Sequence, residues 1–375
     1  MRNERRRDVI YICKVIANKE NSADFQRLSL LSKLSNLTVC TERSTLDKLD
    51  SSVSYSLMNV TGKLWVMRCA VRILKNYEPK GKKVYVYSSP GLYALLVSVI
   101  ISRIRGWTLV VDFWDHPSLG FELAGPLIKR LKKILWFVIR LMISKDDNFI
   151  LAMEPGISKH LPECVENVYS VERGVVIDSI EPVSSSYSDD LKLVSVGWLY
   201  RIRGTEFLVK CMQELENRGL SATLKSAGSS DNYSLSMVEK HNRKSNNKIE
   251  HLGFIDKEEI SEIYKWSNYG FCILDQSILN YRYAYPIKVV EYMAAHVVCI
   301  ATRTYGIETM LDSKTGLLVD SGDIGVKQVC DFVEVQSKKE WEDMALCAFD
   351  SVARYDIANL NKSLSVIYKE IGICD

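Results

Sequence analysis

The chain has 375 residues, of which 47% are hydrophobic and 25% charged, with 19 glycines and 8 prolines. That is ordinary globular composition, and it excludes a disordered, collagen-like or low-complexity chain. The net charge is +3, but residues 1–180 carry 27 Lys and Arg against 18 Asp and Glu, a balance of +9, and the remainder 22 against 28, or −6.

Residues 9–16 are a β-branched run and read as a buried strand. A helical segment near 25–34 and a short strand at 37–40 follow. Then come a helix over 63–76, a strand over 84–87, an apolar helix over 91–103 and a strand over 109–113. A helix over 126–145 and a strand over 149–153 continue the alternation. Residues 178–190, DSIEPVSSSYSDD, turn polar and Ser-rich and read as a linker. The pattern then restarts, with strands over 193–196, 221–226, 248–252, 269–274, 297–301 and 317–319. Helices over 205–218, 257–266 and 287–295 lie between them, and the chain closes in helices. Strand-then-helix repetition is the signature of a parallel sheet wrapped by helices. The expected fold class is α/β, with two Rossmann-like domains at 1–180 and 181–375 and the final helix free to pack back on the first. Open sheets of this kind bind ligands beyond the carboxyl ends of their strands, so the cleft between two of them is the expected site.

Ten cysteines are scattered singly from Cys13 to Cys374, without C-x-x-C spacing, and the five histidines do not pair with them. A disulfide framework or a zinc site is not expected, and a reducing cytosol fits best. Arg5, Arg6 and Arg7 lead into a short, charge-interrupted apolar stretch, which does not read as a signal peptide. The longest apolar runs, near 92–101 and 134–139, fall well short of the roughly 20 residues that span a bilayer as a helix.

Two stretches carry candidate chemistry. In 285–302, YPIKVVEYMAAHVVCIAT, Pro286 suits the opening of a helix, and Lys288 and Glu291 share one face. The first-turn N–H groups make a phosphate site, and a carboxylate one turn on suits a ribose diol. The competing reading is a solvated Lys–Glu pair. In 197–204, GWLYRIRG, Arg201 and Arg203 flank the end of a strand, and guanidinium groups bind phosphate bidentately. Plain surface charge on a loop is the alternative.

Several segments in order resemble the retaining nucleotide-sugar glycosyltransferases of family 4, whose fold is the two-domain GT-B type. SVGWLYRIRGTEFLVKCMQEL is similar to that family's strand, Gly-Arg-Leu-x-x-x-Lys-Gly loop and helix. HLGFIDKEEISEIYKWSNYGFCIL resembles the strand, loop, helix and strand that shape its nucleotide pocket. PIKVVEYMAAHVVCIATRTYGIETMLDSKTGLLVD is similar to its Pro-x-Lys-x-x-Glu-Tyr-Met-Ala segment and the residues beyond. VYSSPGLYALLVSVIISRIRGWTLVVDFWDHP and VERGVVIDSIEP fit the first half more loosely. The resemblance covers about 80–375 and is strongest over 191–320.

The resemblance implies residue roles. Arg203 takes the place of the loop Lys that binds the donor pyrophosphate. Trp198 stands where the loop has Arg, and Arg201 is near enough to substitute for that cation. Glu291 matches the second Glu of the Glu-x7-Glu motif, which contacts ribose. The first falls on Tyr283, a departure that leaves the donor sugar open. A second departure is His296, where the family has Gly. Phe254 and Ile255 match the loop that packs on the nucleobase. Asp115 and His116 resemble the acceptor-side loop, with His116 bonding the transferred sugar and Asp115 orienting it or the acceptor hydroxyl. Equally, Asp115 caps a turn and His116 is incidental. The usual Gly-rich acceptor loop after the first strand is absent.

Residues 126–145 hold six basic residues and no acidic one. On a helical wheel Lys129, Arg130, Lys132, Lys133 and Arg140 fall on one side, with Trp136 and Phe137 on or beside it. Leu127, Leu131, Ile134, Leu135, Val138, Leu141 and Met142 lie opposite and read as core. Basic residues interleaved with aromatics suit an anionic membrane surface, and a simply solvated face is the alternative. No nucleic-acid motif accompanies them.

The expectation is a retaining glycosyltransferase that moves a sugar from a nucleotide diphosphate to a hydroxyl of a lipid-linked, polysaccharide or glycoconjugate acceptor. No metal or other cofactor is implied. The location expected is cytoplasmic, either free or peripheral at the membrane face through Lys129, Arg130, Lys132 and Lys133. The alternatives are a catalytically silent GT-B protein that binds a nucleotide or glycan and, more weakly, a sugar-nucleotide epimerase.

Overall fold

The computed structural model describes residues 7–15, 23–43, 55–59, 65–79, 83–88, 91–113, 121, 125–143, 148–152, 167–171, 174–180 and 190–375. They divide into two compact units, residues 1–174 with 357–375, and residues 175–356.

In the first unit the described strands are β1 (Asp8–Val15), β2 (Asn36–Arg43), β3 (Tyr55–Asn59), β4 (Val84–Ser88), β5 (Thr108–Phe113), β6 (Phe149–Ala152) and β7 (Val168–Ser170). All pair in parallel, in the order 3-2-1-4-5-6-7. Strand β5, TLVVDF, is buried from its second residue to its last, because parallel sheets are covered on both faces. Helices α1 (Ala23–Leu34), α2 (Trp65–Asn76), α3 (Leu92–Arg105) and α4 (Pro126–Ile143) flank the sheet. A C-terminal helix, Ile357–Glu370, joins them. It buries Leu360, Leu364 and Tyr368, spaced by one helical turn, in a core with Tyr11, Tyr85 and Tyr87. That core encloses an ion pair, Arg27 Nε to Asp112 Oδ2 at 2.9 Å, with both side chains at most 1% exposed. The Tyr87 hydroxyl donates to the same oxygen at 2.7 Å and lies 3.3 Å from the Tyr368 hydroxyl.

Helix α4 overturns one expectation. Five of the seven residues read as core are outside: Leu127, Leu131, Ile134, Val138 and Leu141 are exposed, while Leu135 and Met142 pack half-buried against the core as expected. The helix turns Trp136, Ile139 and Ile143 inward instead. Trp136, expected beside the basic face, packs edge-on against Phe113 with ring centres 5.9 Å apart. One indole buries more area than a leucine, so a wheel that counts apolar residues mis-aims the helix.

The second unit repeats the plan. Strands β8 (Leu191–Val196), β9 (Ala222–Ala227), β10 (Lys248–His251), β11 (Tyr269–Cys272), β12 (Val298–Thr302) and β13 (Gly316–Val319) pair in parallel in the order 10-9-8-11-12-13. Around them lie α5 (Thr205–Asn217), α6 (Asn232–Asn242), α7 (Lys257–Trp266), α8 (Leu279–Arg282), α9 (Ile287–Ala294), α10 (Tyr305–Glu308), α11 (Gly322–Val335) and α12 (Lys338–Ser351). Strand order reverses between β8 and β11, which makes their carboxyl ends the topological switch point.

Strands β3 and β7 and helix α6 are additions to the expected elements. Helix α6 buries Ser234, Val238 and His241, a helical stripe carried by two polar residues that no apolar period reveals. Asp231 caps it, accepting from Ser234 N–H at 2.7 Å. Among the described residues no helix is long and apolar enough to cross a membrane.

Candidate functional site

The site is built on the loops that follow β8 and β11. After Val196 the chain turns at Gly197 (φ 119°), whose N–H donates to Ala227 O at 2.8 Å. Gly228 N–H donates in turn to Gly253 O at 2.7 Å. A Cβ on Gly228 (φ 135°) would lie 2.0 Å from Gly197 O, so glycine alone permits this approach. The turns after β8, β9 and β10 are thereby laced into one rim.

The rim continues into a 3-10 turn, Arg201–Arg203, which closes at Gly204 (φ 85°). A Cβ there would lie 2.4 Å from Ile273 Cγ2, so the turn sits directly against the chain leaving β11. The Arg203 guanidinium lies 4.4 Å from the Tyr281 ring centre and 5.3 Å from that of Trp198. Two aromatic faces hold a weakly hydrated planar cation in one orientation. Its Nε is buried without a hydrogen-bond partner. Arg201 is engaged elsewhere: it pairs with Glu206 at 3.2 Å and lies 5.1 Å over the Tyr233 ring.

Helix α9 enters from Pro286, and no side chain caps its first turn. The Lys288 Nζ is 3.7 Å from where a Cβ on Gly197 would stand, so the ammonium rests against the β8 turn. Among the described residues neither Lys288 nor Arg203 makes an ion pair. Both act on the buried Cys272 thiol at the end of β11: burial pushes its pKa up, and the two cations oppose that. Two cations thus converge on the switch point with no carboxylate paired to either.

Glu291 lies one turn further along α9. Its carboxylate accepts a hydrogen bond from the Tyr264 hydroxyl on α7 at 3.1 Å. Burial raises its pKa, opposed by that bond and by the charges of Lys288 and Lys257. Tyr292, the next residue, fixes the helix to the sheet. Its hydroxyl accepts from Val196 N–H at 3.0 Å and donates to Phe271 O at 3.3 Å. Its ring lies against Gly270, where a Cβ would stand 2.7 Å away.

The remaining candidates are placed as follows. Phe254, just after Gly253, is 79% exposed, whereas Ile255 packs partly into the core. Tyr283 sets its ring edge-on to Tyr305 at 5.9 Å. Asp115 and His116 lie outside the described residues. His296 adopts a left-handed conformation (φ 58°), alone among the described non-glycine residues, at the position where the resemblance expects glycine. It follows the last turn of α9, where a left-handed residue ends a helix. Its ring packs 4.4 Å from Phe349.

Sequence reasoning missed Tyr264 and Tyr281. Both act from separate elements on residues it did find, and a tyrosine on an amphipathic helix or in a short turn carries no signal of its own. Among the described residues no three His, Cys, Asp or Glu side chains are grouped to hold a metal ion.

Residues 190–333, most of the second unit, match the family model described as Glycosyl transferases group 1. A search of curated protein sequences returns no significant match. Solved structures are similar over nearly the whole chain. HepE (Alr3699) of Anabaena, solved with UDP, has a TM-score of 0.72 at 13% identity, covering 97% of this chain and 100% of its own. Sucrose-phosphate synthase of Thermosynechococcus elongatus has 0.72 at 14%, covering 98% and 99%. The lipopolysaccharide outer core galactosyltransferase WaaB has 0.63 at 13%, covering 97% and 99%. At such identities the likeness establishes the fold, which is GT-B-like: two Rossmann-like α/β units with parallel sheets.

Proposed function

We propose that the chain is a retaining glycosyltransferase that moves a sugar from a nucleotide diphosphate donor to an acceptor hydroxyl. The observation that carries this reading is the convergence of Arg203 and Lys288 at the β8–β11 switch point, one turn from the Glu291 carboxylate. Two cations without carboxylate partners suit a pyrophosphate, and a half-buried carboxylate held by Tyr264 suits a ribose diol. Phe254 offers an exposed face to a base.

In this reading the donor pyrophosphate lies against Arg203 and Lys288. The bond from the anomeric carbon to the phosphate oxygen breaks, the acceptor oxygen attacks from the face the phosphate leaves, and the hydroxyl proton passes to the departing phosphate oxygen. The protein supplies positioning and electrostatic stabilisation of the departing phosphate. The sandwich of Tyr281 and Trp198 keeps the guanidinium oriented before charge develops. On the acceptor side we assign His116 and Asp115 to the transferred sugar and the acceptor hydroxyl. Lipid-linked sugars and growing glycans are the acceptor classes proposed, at the cytoplasmic side of a membrane.

HepE was solved with UDP and with UDP-glucose, so uridine-linked donors are the first to try. The test is a thermal-shift screen of nucleotide sugars, followed by donor turnover without acceptor. Stabilisation with slow nucleotide release supports a transferase. Tight binding with no release supports the second reading, a nucleotide-binding protein without activity. The observation favouring that alternative is Tyr283, a phenol at the position of the motif's first carboxylate.

A further inference from the structure

The outward face of α4 is the strongest unexplained surface among the described residues. Leu127, Leu131, Ile134, Val138 and Leu141 follow i, i+4, i+7, i+11 and i+14 spacing. At about 100° per residue they fall within an arc of roughly 80°, over a length of roughly 21 Å. All five are exposed, from 42% at Val138 to 72% at Leu127. The stripe points directly away from Trp136, Ile139 and Ile143, which anchor the helix in the first unit. Single exposed leucines need no explanation, but a continuous stripe along an 18-residue helix marks an interaction surface.

The charges say what it meets. The helix contains five cations and no acidic residue. Arg130 and Lys133 are exposed on one flank of the stripe, about 60° and 120° round the helix from its centre, and the half-buried Lys129 and Arg140 follow on the same side towards Trp136. No ion pair to any of the five occurs among the described residues. A second copy meeting the stripe across a two-fold axis would bring these cations towards their own images, with no acidic residue on the helix to pair them. An anionic surface that also accepts apolar side chains satisfies both features at once, and the headgroup–acyl boundary of a bilayer is such a surface.

We propose that α4 docks the first unit on an anionic lipid bilayer, its apolar stripe entering the acyl boundary and its cationic flank lying among the headgroups. The sequence pointed to the cations and to Trp136 and Phe137, of which Phe137 is exposed. The structure shifts the weight to the stripe, with the indole serving as an internal anchor. The inference stands apart from the catalytic reading, since binding is measured without any sugar donor.

The test is flotation of the full chain with vesicles of phosphatidylcholine alone or mixed with phosphatidylglycerol, at low and high salt. Wild type is expected to float with the anionic vesicles and to lose much of that recovery in high salt. Replacing Leu131, Ile134 and Val138 together by Ser is expected to lower binding about tenfold at either salt. Changing Lys129, Arg130 and Lys133 together to Gln is expected to abolish the preference for anionic lipid. Thermal melting checks that the variants fold, and Leu131→Ser alone serves as a milder variant with a smaller loss in the same direction. Flotation of the serine variants at the wild-type level overturns the proposal, as does equal recovery of wild type with both vesicles. A chain that ignores vesicles and sediments as a dimer, dissociated by the serine variants, also overturns it and makes the stripe a self-association surface.

Discussion

The Tyr264 hydroxyl and the Glu291 carboxylate, from α7 and α9, meet at 3.1 Å. That bond orients the one carboxylate proposed to face ribose, and it works against the burial that raises the carboxyl's pKa. Glu291→Gln is expected to weaken nucleotide-sugar binding by on the order of 10- to 100-fold, the loss of charge-assisted hydrogen bonds. Isothermal titration with one donor measures it. Unchanged affinity in a folded variant removes Glu291 from the site.

The same pair sets a pH dependence. The folded carboxyl titrates above its ordinary value of 4.5 because burial disfavours the charge. Donor affinity should therefore begin to fall, as pH drops, already above that value. Stability runs the other way: a carboxyl raised in the folded state contributes stability that is present below the ordinary value and lost as pH rises through the raised one. Glu291→Gln should thus leave the unliganded melting temperature at neutral pH unchanged or higher. Tyr264→Phe removes a bond to the charged form, so the onset of affinity loss should move to higher pH. A Tyr264→Phe profile superimposable on wild type would show that the phenol does not set the carboxylate's charge.

Arg203 and Arg201 are two residues apart but differently engaged, and they should behave differently. Arg203 lies between Tyr281 and Trp198 with a buried, unpartnered Nε, while Arg201 pairs with Glu206 in the open. Charge grows on the leaving phosphate in the transition state, so Arg203→Ala should lower kcat more than it raises KM. Arg201→Ala should change either constant by only a few-fold, since an exposed ion pair contributes little. Steady-state kinetics on both variants decides it, and equal losses would mean that the loop acts as one unit.

The rim of turns depends on a contact that one methyl group destroys. A Cβ on Gly228 would sit 2.0 Å from Gly197 O, at a φ that side chains rarely adopt. Both backbones are tied, Gly197 N–H to Ala227 O and Gly228 N–H to Gly253 O. Gly228→Ala is expected to cost on the order of 3 kcal/mol and to displace the Gly197 turn from Lys288. A lowered melting temperature together with weakened donor binding is the expected result. Wild-type values for both would show that the rim relaxes freely.

The second unit was legible in the sequence wherever a residue's neighbours along the chain decide its state. The β-branched run of β12 and the Asp256–Glu259 capping box of α7 are local, and α7 occupies 257–266 as read. Arg203, Lys288 and Glu291 could be named as candidates because each sits in a motif. What stayed hidden depends on distant partners. Tyr264 gains its role only when α7 lies beside α9, and α6 is held by Ser234 and His241, which look like surface residues. His296 shows the reverse: its place in the pattern called for glycine, and the backbone keeps the left-handed geometry although the side chain does not favour it. On α4 the apolar period was read correctly, but only its edge at Leu135 and Met142 meets the core, because nothing local says which way a stripe faces.

The buried pair Arg27–Asp112 yields the last prediction. The two side chains are all but inaccessible, and Asp112 Oδ2 takes bonds from both Arg27 and Tyr87. Burial alone would lower the pKa of Arg27, but the charge of Asp112, the neighbouring Tyr87 and Tyr368 and the hydrogen bond to Asp112 together outweigh it, so the guanidinium stays charged. The two remaining guanidinium nitrogens and Asp112 Oδ1 have no hydrogen-bond partner, so the pair is not fully compensated. Removing one partner strands the other as a buried charge. Arg27→Met or Asp112→Leu alone should therefore destabilise the first unit by about 3–5 kcal/mol. The double variant should recover most of that loss, because two apolar side chains leave no charge behind. Amide hydrogen exchange along β4 and β5 reads the opening free energy of this unit separately from that of the second. Simple addition of the two single losses in the double variant would show that the groups act independently and that the pair does not hold this core together.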